Sequence, residues 1–146
     1  MSKNKNNKPI WNTRISKNSS NLFKKIGGSL LVDKRLFNED IEASIVHVEM
    51  LFKQKIINFK IKNKIVWGLN RIKNEIIKKK FNFNLKDEDI HMSIEMRLFE
   101  LIGEDAGYIH TARSRNDQVI TDFKLWIRKS TNEIINLLDS TIKIII

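Results

Sequence analysis

The stretch DEDIHMSIEMRLFELIGEDAGYIHTARSRNDQVITDFKLWI, residues 87–127, indicates two helices separated by a polar loop. Carboxylates at 87–89 favour the start of the first helix, because acidic side chains cap a first turn and suit the helix dipole there. Its apolar positions recur with a helical period: Ile90, Ile94, Leu98, Leu101 and Ile102. Gly103 is a good residue to end this helix. The second helical pattern begins near Ala112 or Asn116.

Two further helical patterns precede this stretch. Asn38 is a candidate N-cap for the first, whose apolar face is Ile41, Ile45, Val48 and Phe52. The second starts near Asn58, ends at the lysines 78–80, and has an apolar stripe of Ile61, Ile65, Leu69, Ile72 and Ile76. A short connection between two such helices predicts an antiparallel pair. Gly27-Gly28 is expected to form a loop, and FNFNL at 81–85 an extended connector.

These patterns predict an all-α fold. Residues 1–9 are rich in Lys and Asn and are expected to be a disordered basic tail. Residues 10–111 are expected to form one helical domain, and residues 112–146 the first part of a long helix. The apolar period is still running at the final TIKIII, so we expect this helix to belong to a larger protein.

Composition excludes some classes of site. The 146 residues include no cysteine, which excludes disulfides and thiolate metal sites. His47, His91 and His110 are far apart and show no ligand spacing with carboxylates, so no metal is expected. No segment approaches the roughly 18 apolar residues that span a bilayer, and the N-terminus lacks the apolar region of a secretory signal. We therefore expect a cytoplasmic protein with no membrane partner.

The net charge of +10 has two interpretations. A basic patch could bind RNA or anionic lipid. Alternatively, Lys, Asn and Ile are abundant throughout because all three use A/T-rich codons. The lysines are scattered and do not alternate with stacking aromatic side chains, as a nucleic-acid groove requires. The second interpretation is favoured, and no nucleic-acid partner is expected.

The run HTARSRNDQ, 110–118, concentrates hydrogen-bonding groups at the start of a helix. Helix N-termini favour anions, and arginines such as Arg113 and Arg115 bind carboxylates in a bidentate manner. If both arginines bind one ligand, the backbone there must be non-helical, because adjacent-but-one residues do not share a helix face. The residues indicate either a site for an anionic ligand or a polar loop stabilised by its own hydrogen bonds.

Two histidines, His91 and His47, are considered as functional or as structural residues. His91 and Glu95 are four residues apart and can touch on one helix face, either as an acid–base pair or as a surface pair of little consequence. The surface pair is favoured. His47, between two valines, is expected to be a structural histidine.

The sequence resembles the argininosuccinate lyases of the aspartase/fumarase superfamily over about residues 10–146. The family has a D-x-D-I-H-x-x-x-E-x-x-L block, matched at 87–98, before the nearly invariant H-T-A-R-S-R-N-D-Q run. SLLVDKRL from Ser29, and DIEASIVHVEML at 40–51, resemble its earlier motifs. The chain departs from the family at WNTRI (11–15), at Gly27-Gly28 and at Ala43, where the family usually has W-G-G-R-F, Asn-Ala and glycine.

The resemblance implies an N-terminal helical domain followed by the start of a central-bundle helix. It implies elimination of fumarate from argininosuccinate to give L-arginine, without metal or cofactor. The residues it implies for substrate binding are Ser29, Arg115 and Asn116, with Arg113, His91, Asp89 and Asp33 as support.

The resemblance places the family's acid and base, a Thr-His motif and a G-S-S-x-M-P-Q-K-K-N-P loop, beyond Ile146. We therefore expect no catalytic residue in these 146 residues, and no activity from them alone. Family members are homotetramers, so a homo-oligomer is expected at full length. The alternatives are a non-catalytic remnant or partner-binding helical module, and an RNA-binding module suggested only by the charge.

Overall fold

The computed structural model of the chain describes residues 26–84 and 86–146, and within them it is helical with no strand. The helices are α1 (Leu30–Asp33), α2 (Phe37–Lys53), α3 (Phe59–Ile77), α4 (Ile90–Ile102) and α5 (Arg115–Ile145), with 3-10 segments at Lys34–Leu36 and Gly103–His110. The all-α prediction is confirmed. The basic tail at 1–9 and the WNTRI motif lie outside the described residues.

The core lies between α2, α3 and α4. Each helix contributes its predicted stripe, and the most deeply buried side chains are Ile41, Val48, Leu51, Ile65, Leu69, Ile72, Ile90, Ile94 and Leu98. At Gly68 helix α3 packs tightly against α4, because a Cβ placed there would lie 2.4 Å from Cδ1 of Leu98. The side chains at the edges of the stripes, such as Phe52 and Ile76, are partly buried against this core.

Side chains cap the starts of three helices, and one of these caps, at Asp89, was predicted. The Asn58 side chain accepts a hydrogen bond from the backbone N–H of Ile61 at 2.9 Å, and Asp89 accepts one from Met92 at 2.6 Å. Ser114 caps α5, so this helix starts at Arg115, between the two predicted positions. At the other end of α4, Gly103 has a φ of +73°, a conformation that glycine adopts without strain.

The predicted N-cap of α2 is wrong. The 3-10 segment Lys34–Leu36 leads directly into α2, so Leu36 occupies the cap position and Asn38 lies inside the helix. A side-chain cap needs an extended residue before the helix, and here the preceding backbone is already helical. The loop predicted at Gly27-Gly28 is confirmed only at Gly28, because Gly27 still belongs to a helical segment. Residues 81–84 are non-helical, in agreement with the predicted connector.

Helix α5 is much longer than the domain it leaves. Its 31 residues extend about 46 Å at 1.5 Å per residue. The N-terminal part packs against α2, where Gln118 and Asp122 are buried. Lys129 adds ion pairs with Glu39 at 3.0 Å and Glu42 at 2.8 Å. Residues 131–146 are all exposed, including Ile134, Leu137, Leu138 and Ile142. No helix in the described part of the chain could cross a membrane.

Candidate functional site

The turn that begins with Ser29 is attached to the start of α4. The backbone N–H groups of Ser29 and Leu30 donate to the carbonyl of Glu88 at 2.8 and 3.3 Å. Asp33 Oδ1 accepts from the backbone N–H of Ile90 at 3.1 Å, and its Oδ2 accepts from Ser29 Oγ at 2.5 Å. The first N–H groups of a helix have no partner within the helix, so α4 is free to bind this second acidic side chain.

Arg115 joins the start of α5 to α4. Its guanidinium donates to both carboxylate oxygens of Glu95, at 3.0 and 3.3 Å, and to Gln118 Oε1 at 2.9 Å. Its Nε lies 3.4 Å from Asp89 Oδ2, and 29% of the side chain remains exposed. Because Asp33 and Asp89 both bind the first turn of α4, a chain of contacts leads from Ser29 to Arg115. The structure thus brings together the segments at 29–33, 87–95 and 110–118.

Arg113 points away from Arg115. Its Nη1 donates to Ser44 Oγ of α2 at 2.8 Å. The backbone before α5 is non-helical, as two neighbouring arginines on one ligand would require, and Ala112 has a φ of +55°. The two guanidinium groups nevertheless bind different helices. Arg113 therefore attaches this loop to α2, whereas Arg115 lies at the exposed edge of the site.

Ser29 and Asn116 are both exposed. Asn116 lies in the first turn of α5, next to Arg115, and its backbone N–H donates to Ser114 Oγ at 3.3 Å. A hydroxyl, an amide and a guanidinium therefore reach solvent around the start of two helices. This arrangement can bind an anionic ligand through several hydrogen bonds.

Sequence reasoning missed Glu95 and His110 as members of this edge. Nδ1 of His110 lies 3.5 Å from Glu95 Oε1, the oxygen to which Arg115 donates at 3.0 Å. His110 is the first residue of the HTARSRNDQ run, and its place in that run was the available signal.

The predicted contact between His91 and Glu95 is wrong, both as an acid–base pair and as a surface pair. His91 is only 1% exposed and donates from Nδ1 to Asp40 Oδ1 at 2.9 Å. Its Nδ1 also lies 3.5 Å from Asp122 Oδ2. Packing of α2 and α5 over this part of α4 buries His91, whereas Glu95 turns to Arg115. His91 is therefore buried in the interior and does not lie at the exposed edge of the site.

The side chains of this buried cluster shift one another's pKa values. Burial alone raises the pKa of Asp40, but hydrogen bonds from His91 and Gln118 outweigh it and leave that pKa lowered. Burial likewise opposes the charge of His91, yet the hydrogen bond to Asp40 leaves its pKa raised. Burial and the nearby charge of Asp40 raise the pKa of Asp122 from 3.8 to about 7.

The same cluster contains residues of the kind that bind metals. Asp40, His91 and Asp122 each offer one ligand atom, and these atoms lie within 4.8 Å of one another. The expectation that no such group would form was made from sequence spacing. The three residues are far apart in sequence, and only the packing of three helices brings them together.

His47 has the structural role that was predicted. Its Nε2 donates to the carbonyl of Thr111 at 3.0 Å and so attaches α2 to the loop before α5. Burial lowers the pKa of His47, which favours the neutral ring.

Comparison with known proteins finds a matching family model and several similar proteins. A family model described as lyase matches residues 13–145. The chain is 64% identical to the argininosuccinate lyase of Pelagibacter ubique over 146 residues, all of this chain and 32% of the relative. It is 51% identical to that of Campylobacter jejuni subsp. doylei over 135 residues, 92% of this chain and 29% of the relative. The chain spans about a third of the length of these relatives.

Proposed function

The chain belongs to the lyase family whose model covers residues 13–145, and on that premise we propose that it forms the N-terminal part of an argininosuccinate lyase. The whole enzyme eliminates fumarate from argininosuccinate and releases L-arginine, a step of arginine biosynthesis in the cytoplasm. The observation that carries this proposal is the 64% identity to an argininosuccinate lyase over all 146 residues. The polar edge around Arg115 supports it.

The proposed role of this edge is to bind substrate. Argininosuccinate carries three carboxylates and a guanidinium, and it therefore needs several fixed donors. Arg115 binds a succinyl carboxylate, because its partly exposed guanidinium can exchange contacts with Glu95 for contacts with the substrate. The exposed Asn116 amide donates to the same ligand, and so does the exposed Ser29 hydroxyl once it exchanges its hydrogen bond to Asp33 for one to the substrate.

Elimination removes a proton from the carbon next to a carboxylate while the guanidinium leaves. Negative charge builds on that carboxylate, and donors held in place before the reaction stabilise it. In this proposal Arg115 and Asn116 contribute such donors. The acid and base come from outside residues 1–146, as the resemblance implies, so these residues alone release no fumarate.

Partners follow from the same proposal. The last turns of α5 expose Ile134, Leu137, Leu138 and Ile142, each more than half exposed. A continuous apolar face of this kind suits the interior of a helical bundle. We propose that the whole enzyme is a homo-oligomer, a tetramer as in the family, with α5 in its core. The same observation favours the second candidate, a non-catalytic module that binds another chain through α5.

A chimeric enzyme tests the proposal. Residues 13–145 of this chain, the range that the family model matches, replace the corresponding segment of the Campylobacter jejuni subsp. doylei argininosuccinate lyase, and fumarate is followed by its absorbance. We expect activity within about tenfold of the parent enzyme. Asn116→Ala should lower kcat/KM by about 100-fold, since a lost transition-state hydrogen bond costs about 2.7 kcal/mol.

Asn63→Ala, at an exposed position of α3, is the matched control and should leave kcat/KM unchanged. A chimera that assembles like its parent but releases no fumarate would support the non-catalytic module instead. An equal effect of Asn116→Ala and Asn63→Ala would contradict the role given to Asn116.

A further inference from the structure

A cluster of four polar side chains is buried where α2, α4 and α5 meet, and the proposed function assigns it no role. Asp40, His91, Gln118 and Asp122 are each no more than 2% exposed. Polar groups removed from water need hydrogen-bond partners, and buried charges need compensation. Each member of the cluster therefore has to be accounted for.

Three members of the cluster, Asp40, His91 and Gln118, have hydrogen-bond partners. Asp40 Oδ1 accepts from His91 Nδ1 at 2.9 Å and from Gln118 Nε2 at 2.5 Å. Asp122 is the exception, because neither of its carboxylate oxygens has a hydrogen-bond partner among the described residues. His91 Nδ1 lies 3.5 Å from Asp122 Oδ2, but its proton is already directed at Asp40. An ionised Asp122 would be a second buried negative charge beside Asp40.

We propose that Asp122 keeps its proton in the folded chain at mildly acidic pH, where it is a neutral carboxylic acid that donates to Asp40. The bound proton gives Asp122 a partner and removes one of two neighbouring negative charges, as in other carboxyl pairs that share a proton. Oxygen atoms of Asp40 and Asp122 lie within 4.8 Å of each other, and a proton on Asp122 lets the two carboxyl groups form a hydrogen bond. The network then joins three helices.

The charged groups around Asp122 set the pH at which it loses this proton. Asp40 faces it from α2 and His91 from α4, while Arg113 lies in the loop before α5. Burial and Asp40 raise the pKa of Asp122 to about 7, against the opposing effects of His91 and Arg113. The unfolded chain releases the same proton near 3.8. The bound proton on Asp122 therefore makes its full contribution to the free energy of unfolding below about pH 4. This contribution is lost as the pH rises to about 7.

The network reaches the exposed edge through Gln118, and this consequence rests on the proposed function. The Gln118 amide donates from Nε2 to Asp40, while its Oε1 accepts from Arg115 Nη1 at 2.9 Å. Because the amide nitrogen is directed at Asp40, the oxygen faces Arg115. Gln118 is therefore a positioning residue, which orients the guanidinium that binds substrate.

A divalent cation between Asp40, His91 and Asp122 would also compensate Asp122. The contacts favour the proton, because Asp40 Oδ1 already accepts two hydrogen bonds that a cation would displace. His91 Nδ1 likewise faces Asp40 as a donor, whereas a ligand nitrogen must be free of its proton.

Carbon NMR of the chain labelled at aspartate Cγ tests the proton directly. Spectra are recorded from pH 4 to 9 with EDTA present, and the Asp122 signal is assigned through its backbone. We expect a titration midpoint near 7, and a midpoint below 4.5 would overturn the proposal. The Arg115 guanidinium nitrogen signals should move with the same midpoint, and this movement should disappear in Gln118→Ala. If they do not move in the unmodified chain, the coupling to Arg115 is wrong.

Thermal unfolding provides a second test. Asp122→Asn keeps a donor beside Asp40 but cannot ionise, so its Tm should fall less between pH 5.5 and 8 than that of the unmodified chain. Asp139→Asn, at an exposed position of the same helix, is the control and should behave like the unmodified chain. Equal pH dependence in all three proteins would overturn the proposal, as would a rise in Tm on adding Zn²⁺ that Asp122→Asn abolishes. None of these measurements uses substrate, so their failure is distinct from failure of the proposed function.

Discussion

Gly68→Ala should destabilise the chain, although alanine is the better helix former. Gly68 lies inside α3, where replacing glycine by alanine gains about 1 kcal/mol in an exposed helix. Here the added Cβ would lie 2.4 Å from Leu98 Cδ1, whereas carbon atoms in contact are about 3.5–4.0 Å apart. Leu98 is fully buried, so its side chain has little room to turn. Overpacking of this kind costs about 1–3 kcal/mol.

The two effects leave a net loss of about 1 kcal/mol, or about 4 °C in Tm for a domain of this size. Urea unfolding followed by circular dichroism measures the loss. Gly107→Ala is the control, because nothing lies within 4 Å of a Cβ at that exposed position. Leu98→Val shortens the opposing side chain, so Gly68→Ala should cost less in that background, with a coupling of about 1 kcal/mol. A Gly68→Ala variant that is more stable than the unmodified chain would refute the close approach of α3 and α4.

Two other predictions concern the start of α4 and the loop before α5. Asp89→Ala removes the cap on the Met92 N–H and an ion-pair partner of Arg115, so urea unfolding should show a loss of about 1–2 kcal/mol; Asp89→Asn keeps the cap, and an equal loss would contradict this assignment. Burial lowers the pKa of His47 below 6.5, so the unfolded chain binds this proton more readily and stability falls as the pH drops through 6.5. His47→Gln should remove that part of the pH dependence of Tm, and an unchanged profile would show that His47 does not contribute.

The exposed edge of the candidate site was recognisable from sequence, but its partners were not. Ser29, Arg115 and Asn116 were named through the resemblance to the lyase family, and the structure places them at exposed or partly exposed positions near two helix starts. Glu95 was paired with the wrong residue. A spacing of four residues permits contact with His91, but the spacing does not tell whether a stronger partner arrives from another helix. In this chain Arg115 reaches Glu95 and Asp40 reaches His91.

The sequence by itself determined the helices, because the 3.6-residue period and the caps at Asn58 and Asp89 act over only a few residues. It also carried the motifs by which the chain resembles its family. Tertiary structure decided which polar groups meet. Asp40, His91 and Asp122 lie on three helices, and only the packing of those helices removes them from water together. Their charge states depend on that shared burial, which no local pattern encodes.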